Sequence, residues 1–350
     1  MKKIKIAIAG FGIVGKKRYE CVIKNKNLKL IAICDKKFKK KSFIRNNIHF
    51  FKSYKNMINC DIDAIIISMS NDIAPEVTIA SLKKGIHVFC EKPPGRNLED
   101  IINVRKEEKK HKNLKLMYGF NHRYHKSILR ALQIIKSKKL GSIINIRGIY
   151  GKSKLLTFNQ TSWRTNRKIA GGGILLDQGI HMLDLLRLFS GEFYDIKSFV
   201  SNSHWKYNVE DNAYAIMKSS KGIYAMLHSS GTQWKHLFRL EINLTGGSLV
   251  LGGILSASKS YGSEKLNIYN ESKRKDNNIK NQVIRYYKDN SWTDELKDFV
   301  KFINKNTKVT SSSSYDALQS MKLVYEIYCS DKIWKNKYKI NIPKVNYNEK

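Results

Sequence analysis

Ile4-Lys5-Ile6-Ala7-Ile8-Ala9-Gly10-Phe11-Gly12-Ile13-Val14-Gly15 is the stretch whose reading decides the fold. Ile4, Ile6, Ile8 and Ala9 form a short apolar run rich in β-branched residues, the pattern of a parallel strand buried on both faces. Gly10 to Gly15 follows at once and fits G-x-G-x-x-G. In that pattern the first glycine makes a tight turn, the second lets a pyrophosphate approach the backbone, and the third lets helix pack on strand. The phosphates then rest on N–H groups at the start of a helix beginning near Ile13. Twenty residues beyond Gly15, after a second apolar run from Leu28 to Cys34, stands Asp35. A carboxylate at that strand end can accept hydrogen bonds from an adenosine ribose. Strand, glycine loop, helix, strand and acid in this order predict a dinucleotide-binding unit. Asp35 favours NAD, because it repels the 2′-phosphate of NADP; Lys36 and Lys37 offset part of that repulsion and leave NADP possible.

The chain has 350 residues, more than one such unit needs, and suits two domains that each bury a core. With 42% hydrophobic and 11% aromatic residues it is globular, which excludes a disordered chain. No apolar run approaches the ~20 residues that span a bilayer, and Lys5 breaks the run that could pass for a signal peptide. The expectation is a cytoplasmic protein with no membrane partner. Cys21, Cys34, Cys60, Cys90 and Cys329 are odd in number and lack CxxC spacing, so neither a disulfide framework nor a metal site is expected. The net charge of +36 invites a nucleic-acid reading, but the lysines are scattered along the whole chain among Asn and Ile. A solvated basic surface fits better, with no specific nucleic acid as partner and a field that attracts anionic small molecules such as a dinucleotide or a nucleotide-linked sugar.

Strand and helix alternate through the first 120 residues. Helices are expected at Lys16–Lys24, at Lys37–Arg45, from Pro75 to the C-terminal Gly85, and at Leu98–His111. Strands are expected at Ala64–Ser68, Ile86–Cys90 and Leu114–Phe120, with a minor one at Ile48–Phe51. The strand ending at Cys90 delivers Glu91-Lys92-Pro93-Pro94 to the carboxyl edge of the sheet, where ligands bind in open α/β folds. Beyond Asn121-His122-Arg123-Tyr124 the rhythm changes. After a helix at Lys126–Ser137, strand-like runs follow at Ile143–Tyr150, Ile196–Asn202, Ala213–Met217, Tyr224–Ser229, Arg239–Leu244 and Ser248–Leu251. Successive strands predict an antiparallel or mixed sheet and a boundary near residue 121. The fold expected is α/β: a doubly wound Rossmann unit over residues 1–120, an α+β unit with a mostly antiparallel open sheet over 121–342, and a tail over 343–350. Gly171-Gly172-Gly173 opens a helix carrying Asp177 and His181, four apart on one face. Asn270–Lys288 reads as an exposed hairpin or loop at the sheet edge, and Ser311–Ser314 as N-caps of a helix at Tyr315–Ser330.

Together the GFGIVG loop with Asp35, Glu91-Lys92-Pro93 after a Rossmann strand, Asn121-His122-Arg123-Tyr124, Trp163-Arg164 and D-x-x-x-H after a glycine run resemble the glucose-fructose oxidoreductase and inositol dehydrogenase family, Gfo/Idh/MocA. The resemblance runs from Lys3 to about Ser330 and is weak through the later strands. It implies a dinucleotide-binding domain followed by an α+β domain whose open sheet often forms the subunit interface, hence a homodimer or homotetramer. It also implies that Lys92 hydrogen-bonds the reacting hydroxyl, that Glu91 lies beside the nicotinamide ribose, that His181 is the acid/base, and that Asp177 holds a substrate hydroxyl. The family frequently has T-P-N and a histidine before the helix after strand three. This chain has Met69-Ser70-Asn71 and Ala74, so Asn71 alone carries over as a cofactor contact.

The chemistry stands on its own terms as well. Removing hydride from a secondary alcohol needs a base for the hydroxyl proton, positive charge near the developing alkoxide, and a nicotinamide at the same carbon. His181 and Lys92 supply the first two. Arg123, Tyr124, Trp163 and Arg164 are weaker candidates for the cleft, with Tyr124 the reserve base. The expected activity is transfer of hydride between NAD(P) and a sugar, nucleotide-sugar or cyclitol. Alternatives are a redox-cycling glycosidase using the same residues and a non-catalytic dinucleotide-binding regulator.

Overall fold

The computed structural model describes residues 3–153, 163–256, 260–271 and 279–348. Seven strands form the first sheet: β1 (Ile4–Ala9), β2 (Leu28–Cys34), β3 (Ser42–Arg45), β4 (Ile48–Phe51), β5 (Ala64–Ile67), β6 (His87–Cys90) and β7 (Leu116–Tyr118). Their order is β3-β4-β2-β1-β5-β6-β7. The pairs are parallel apart from β3 with β4. Ile6, Ile8, Ile65, Ile66 and Ile67 are fully buried, as an apolar run demands when helices cover both faces. The helices Ile13–Ile23, Ala74–Lys83 and Leu98–Glu108 are the crossovers. Strand order reverses between β1 and β5, and this switch point opens a crevice at the carboxyl ends of the strands.

The helix expected at Lys37–Arg45 is absent; Ser42–Arg45 is instead β3, antiparallel to β4. Asn46 and Asn47 adopt φ of 50° and 59° and form a two-residue turn between Arg45 and Ile48. Phe43 stacks on Phe50 across the hairpin at 4.7 Å, and Phe38 meets Phe50 edge-on at 5.6 Å. That cluster needs the two-residue alternation of a strand, and it outweighs the helix propensity of the lysines.

Eight strands form the second sheet: β8 (Ile143–Ser153), β9 (Phe193–Ser201), β10 (Asn212–Ser219), β11 (Tyr224–Gln233), β12 (Leu237–Leu244), β13 (Gly247–Gly252), β14 (Glu264–Glu271) and β15 (Ile279–Tyr286). The order is β15-β14-β13-β12-β8-β11-β10-β9, antiparallel except where β11 pairs with β8. The stretch read as an edge hairpin or loop contributes paired strands, with residues 272–278 lying outside the described residues. The helices Ile180–Ser190 and Ser314–Ser330 pack on the sheet, the latter started by a capping box between Ser313 and Asp316.

The helix Ser291–Asn304 went unread in the sequence. Its Leu296, Phe299 and Val300 pack with Ile6, Ile8, Ile66 and Phe89. Residues from both sides of position 121 therefore close the core around β1. Among the described residues, no helix is long and apolar enough to cross a membrane.

Candidate active site

The glycine loop has the geometry its sequence implies. Gly10 has φ +90°, and a Cβ there would lie 2.4 Å from the Ser68 carbonyl oxygen. A Cβ on Gly15 would lie 1.9 Å from the Gly10 carbonyl oxygen, the tight helix–strand approach that requires glycine. Around Gly12 nothing lies within 4 Å of that position. Gly12 is the N-cap of the helix Ile13–Ile23, and no side chain caps it, so the first-turn N–H groups remain available to a phosphate. Asp35 stands at the tip of β2, accepting the Phe11 N–H at 2.7 Å on one oxygen and the Lys37 N–H at 2.8 Å on the other. Each oxygen keeps a lone pair for a ribose hydroxyl. Gly12, Ile13 and Val14 open onto a shared cavity, so this loop and Asp35 fit a dinucleotide.

The cavity has a volume of about 770 Å³ and is lined from both sheets. Lys92 enters from the end of β6 and Asn71 from the end of the β5 loop, whereas Lys152, Asp177 and His181 enter from the second half. Asn71 also ties the halves together, its side-chain amide donating to the Ala170 carbonyl at 2.7 Å. The Lys92–Pro93 peptide is cis. The glycine run sets the opposite wall. Gly171 has φ +83°, and a Cβ there would lie 2.0 Å from the Arg96 carbonyl oxygen; one on Gly173 would lie 2.1 Å from that of Glu210. These close backbone contacts bring the start of the following helix against the loop that carries Lys92. That start is one π-helical turn, Leu175–Gly179, where the sequence suggested regular α-helix. Lys92 Nζ donates to the Asp177 backbone carbonyl from this widened turn.

Three cations surround the Asp177 carboxylate: Lys152 Nζ at 3.1 Å, Arg164 Nε at 3.7 Å and Lys92 Nζ at 3.9 Å. Burial alone pushes a carboxyl pKa up, but these charges overcome it and hold Asp177 well below the usual range. Burial pushes Lys92 down from the ordinary lysine value, with Asp177 opposing and Lys152 adding to the shift. His181 stacks on His122 with ring centroids 3.8 Å apart and planes 12° from parallel. Burial first, then His122 and Lys92, hold the His181 pKa well below its ordinary value, so the imidazole is neutral. His181 Nδ1 is buried with no hydrogen-bond partner among the described residues. His122 is anchored to the Asn121 side chain at 3.2 Å and the Tyr150 hydroxyl at 3.0 Å.

The motif Asn121–Tyr124 is used in the opposite sense from that expected. Asn121 and His122 line the cavity, whereas Arg123 and Tyr124 do not. The buried Arg123 guanidinium donates to Asp184 at 2.7 and 2.5 Å and pairs with Asp316 at 3.2 Å. The Tyr124 hydroxyl donates to Asp298 at 3.2 Å, which removes it as reserve base. Within one 3₁₀ turn, successive residues point to different faces, and only the packing decides which. Trp163 and Arg164 do line the cavity, stacked at 4.5 Å. Lys152, Tyr150, Gln178, Tyr261 and His236 line it too and were missed. Lys152, Tyr150, Tyr261 and His236 are isolated residues on a strand and loops with no motif to mark them, whereas Gln178 follows Asp177 in the π-helical turn at a position the D-x-x-x-H pattern leaves open.

Arg18 was also missed. Its guanidinium is fully buried between the Phe89 and Trp292 rings, 4.4 Å from each centroid, and bonds Glu91 at 2.6 Å and Glu295 at 2.7 Å. One oxygen of Glu91 is thus held by the first helix. The half-buried Glu91 and the fully buried Glu295 share this cation, and burial pushes Glu295 up to about 8 even beside it. Arg18→Met is expected to cost about 3–5 kcal/mol, because it leaves the buried Glu295 and the half-buried Glu91 without their cation. Glu295→Gln is expected to cost far less. Since the folded-state pKa of Glu295 is raised, its contribution to stability is present at acidic pH and lost as pH rises through about 8. Urea melts between about pH 6 and pH 9 should show wild type losing stability relative to Glu295→Gln. Parallel pH profiles would rule out the shared-cation account.

A parallel sheet with a phosphate-binding glycine loop, joined to a mostly antiparallel sheet that places a lysine–aspartate–histidine group at the cofactor edge, defines a dinucleotide-binding protein of oxidoreductase architecture. The chain belongs to the Gfo/Idh/MocA family: residues 4–120 match its oxidoreductase unit with the NAD-binding Rossmann fold, and residues 128–250 match its C-terminal domain. Levoglucosan dehydrogenase of Pseudarthrobacter phenanthrenivorans is 32% identical over 142 residues, 40% of this chain and 36% of that protein. The 1,5-anhydro-D-fructose reductase of Ensifer adhaerens is 30% identical over 196 residues, 54% of this chain and 57% of that protein. The match therefore spans less than two thirds of the length of either relative. In fold, a levoglucosan dehydrogenase structure in complex with NADH is similar with a TM-score of 0.81–0.82 in its NADH-bound forms at 19–20% identity, covering 95% of this chain and 98% of that one.

Proposed function

We propose that the protein is a nicotinamide-dependent oxidoreductase that moves a hydride between a secondary alcohol of a sugar, nucleotide-sugar or cyclitol and NAD. The observation that carries this reading is the convergence of Lys92, Asp177 and His181 on the cavity into which the Gly12 cradle opens. Bound NAD would supply the hydride acceptor, held by the Gly10–Gly15 loop and Asp35. His181, neutral and buried, takes the hydroxyl proton. Lys92 donates to the oxygen on which negative charge develops, while Asp177, held anionic by its three cations, orients Lys92 and accepts a substrate hydroxyl. The sugar chemistry named for the two relatives agrees with this assignment. A screen for NADH formation across sugars, nucleotide sugars and cyclitols tests it, and no reduction by any of them would refute it. We place the enzyme in the cytoplasm, where its five free cysteines stay reduced.

NAD is expected to bind more tightly than NADP, and Asp35→Ser should narrow the gap, because the carboxylate repels a 2′-phosphate. Titration of both cofactors decides this; tighter NADP binding by the unmodified protein would refute it. We further infer a homodimer or homotetramer through the outer face of the second sheet. Phe199, Tyr214, Ile216, Tyr224 and Met226 are 78%, 48%, 54%, 52% and 49% exposed and sit on adjacent strands in register. A patch of this kind marks an interface. Ile216→Asp should shift the molecular mass in light scattering to that of a monomer, and an unmodified protein that is already monomeric would exclude the interface.

A further inference from the structure

The charge around the reacting centre exceeds what a neutral sugar needs. Among the described lining residues, the charged groups are Lys92, Lys152, Arg164, Asp177 and Glu91. Glu91 is engaged by Arg18, so three cations share the single carboxylate of Asp177, all within 4 Å of it. Lys92 belongs to the cofactor edge and to the reacting hydroxyl. Lys152 and Arg164 come from β8 and from the 3₁₀ turn Trp163–Thr165, in the half of the cavity that faces the substrate. The Lys152 side chain is only 17% exposed, and that of Arg164, 44% exposed, stands over the Trp163 ring at 4.5 Å from its centroid. Holding cations together in a partly desolvated cavity is costly unless an anion joins them.

We propose that the substrate is an anionic sugar, one that carries a phosphate or carboxylate group, and that Lys152 and Arg164 receive that group. This rests on the dehydrogenase reading and narrows its substrate class. A bidentate guanidinium and an ammonium together match an oxyanion better than they match neutral hydroxyls. The surplus positive field also draws anions to the cleft before they dock.

The test is calorimetric titration of the protein–NADH complex with matched ligands: a hexose, its 6-phosphate, its uronate and its UDP-linked form. At least one anionic member should bind about ten- to hundredfold more tightly than the parent hexose. The member that does so identifies the source of the charge as phosphomonoester, carboxylate or diphosphate. The preference should shrink as salt is added, and Lys152→Met should bring the affinity ratio towards one. Equal or weaker binding of every anionic member, or a ratio unchanged in Lys152→Met, overturns the proposal. NADH formation from the same ligands and NAD is read separately. Turnover of neutral hexoses without anion preference rejects the anionic substrate and keeps the dehydrogenase. Tight anionic binding with no hydride transfer supports anion recognition and rejects the dehydrogenase.

Discussion

His181→Ala is expected to lower the turnover number by about 10²–10⁴, the range for a positioned acid/base, and Lys92→Ala by about 10²–10³, the range for an electrostatic donor. Dinucleotide affinity should barely change in either variant. On the proposed assignment adenosine and pyrophosphate would be held by the Gly10–Gly15 loop and Asp35, whereas Lys92 and His181 line the part of the cavity that contains Asp177. The double variant should be little worse than the poorer single one, since groups that act on one proton transfer are strongly non-additive. The pH profile is a further check. Because burial and neighbouring charges lower the His181 pKa, the base stays unprotonated into acidic solution, and the acidic limb should lie below the ordinary imidazole range of about 6.5. Near-normal turnover in His181→Ala would remove it as the base and direct attention to His122, stacked on it at 3.8 Å.

Gly12→Val should abolish measurable dinucleotide binding while leaving the fold in place. Nothing lies within 4 Å of a Cβ at Gly12, so the added Cβ is accommodated without a clash, and the side chain would compete with the pyrophosphate for the open space over the loop. A loss of at least about hundredfold in affinity is expected, with an unchanged urea midpoint. Gly15→Ala provides the contrast. Its Cβ would lie 1.9 Å from the Gly10 carbonyl oxygen, so that substitution should lower stability by about 1–3 kcal/mol. Unchanged NADH affinity in Gly12→Val would mean that another loop binds the phosphates.

Much of this site is legible in one dimension because its parts are local. The glycine loop and Asp35 lie within one strand–helix–strand unit, where backbone sterics restrict the residues allowed at each position. Buried parallel strands announce themselves as apolar runs, which located β1, β2, β5 and β6. Glu91-Lys92 and the Asp177–His181 pair follow recognisable strand and glycine signals. The minor strand expected at Ile48–Phe51 is β4, whereas lysines suggest a helix where β3 lies, although Asn46-Asn47 is a turn signal between the two.

Other features depend on contacts far apart in the chain. Arg18 meets Glu295 across 277 positions, and Lys152 reaches Asp177 across 25. Nothing near Arg18 in the sequence distinguishes a buried cation from a solvated one. Arg123 and His122 are neighbours in one turn, yet one completes an ion pair with Asp184 and the other stacks on His181. Sequence alone determined the glycine loop and the alternating unit, because short-range geometry constrains those residue types, and it marked Lys92, Asp177 and His181 as candidates through the motifs that carry the family resemblance. Tertiary structure alone decided which cations surround Asp177, which imidazoles stack, and which carboxylates share Arg18. Those relations arise when two sheets and a returning helix pack together, and the resulting burial and charge act through space, not along the chain.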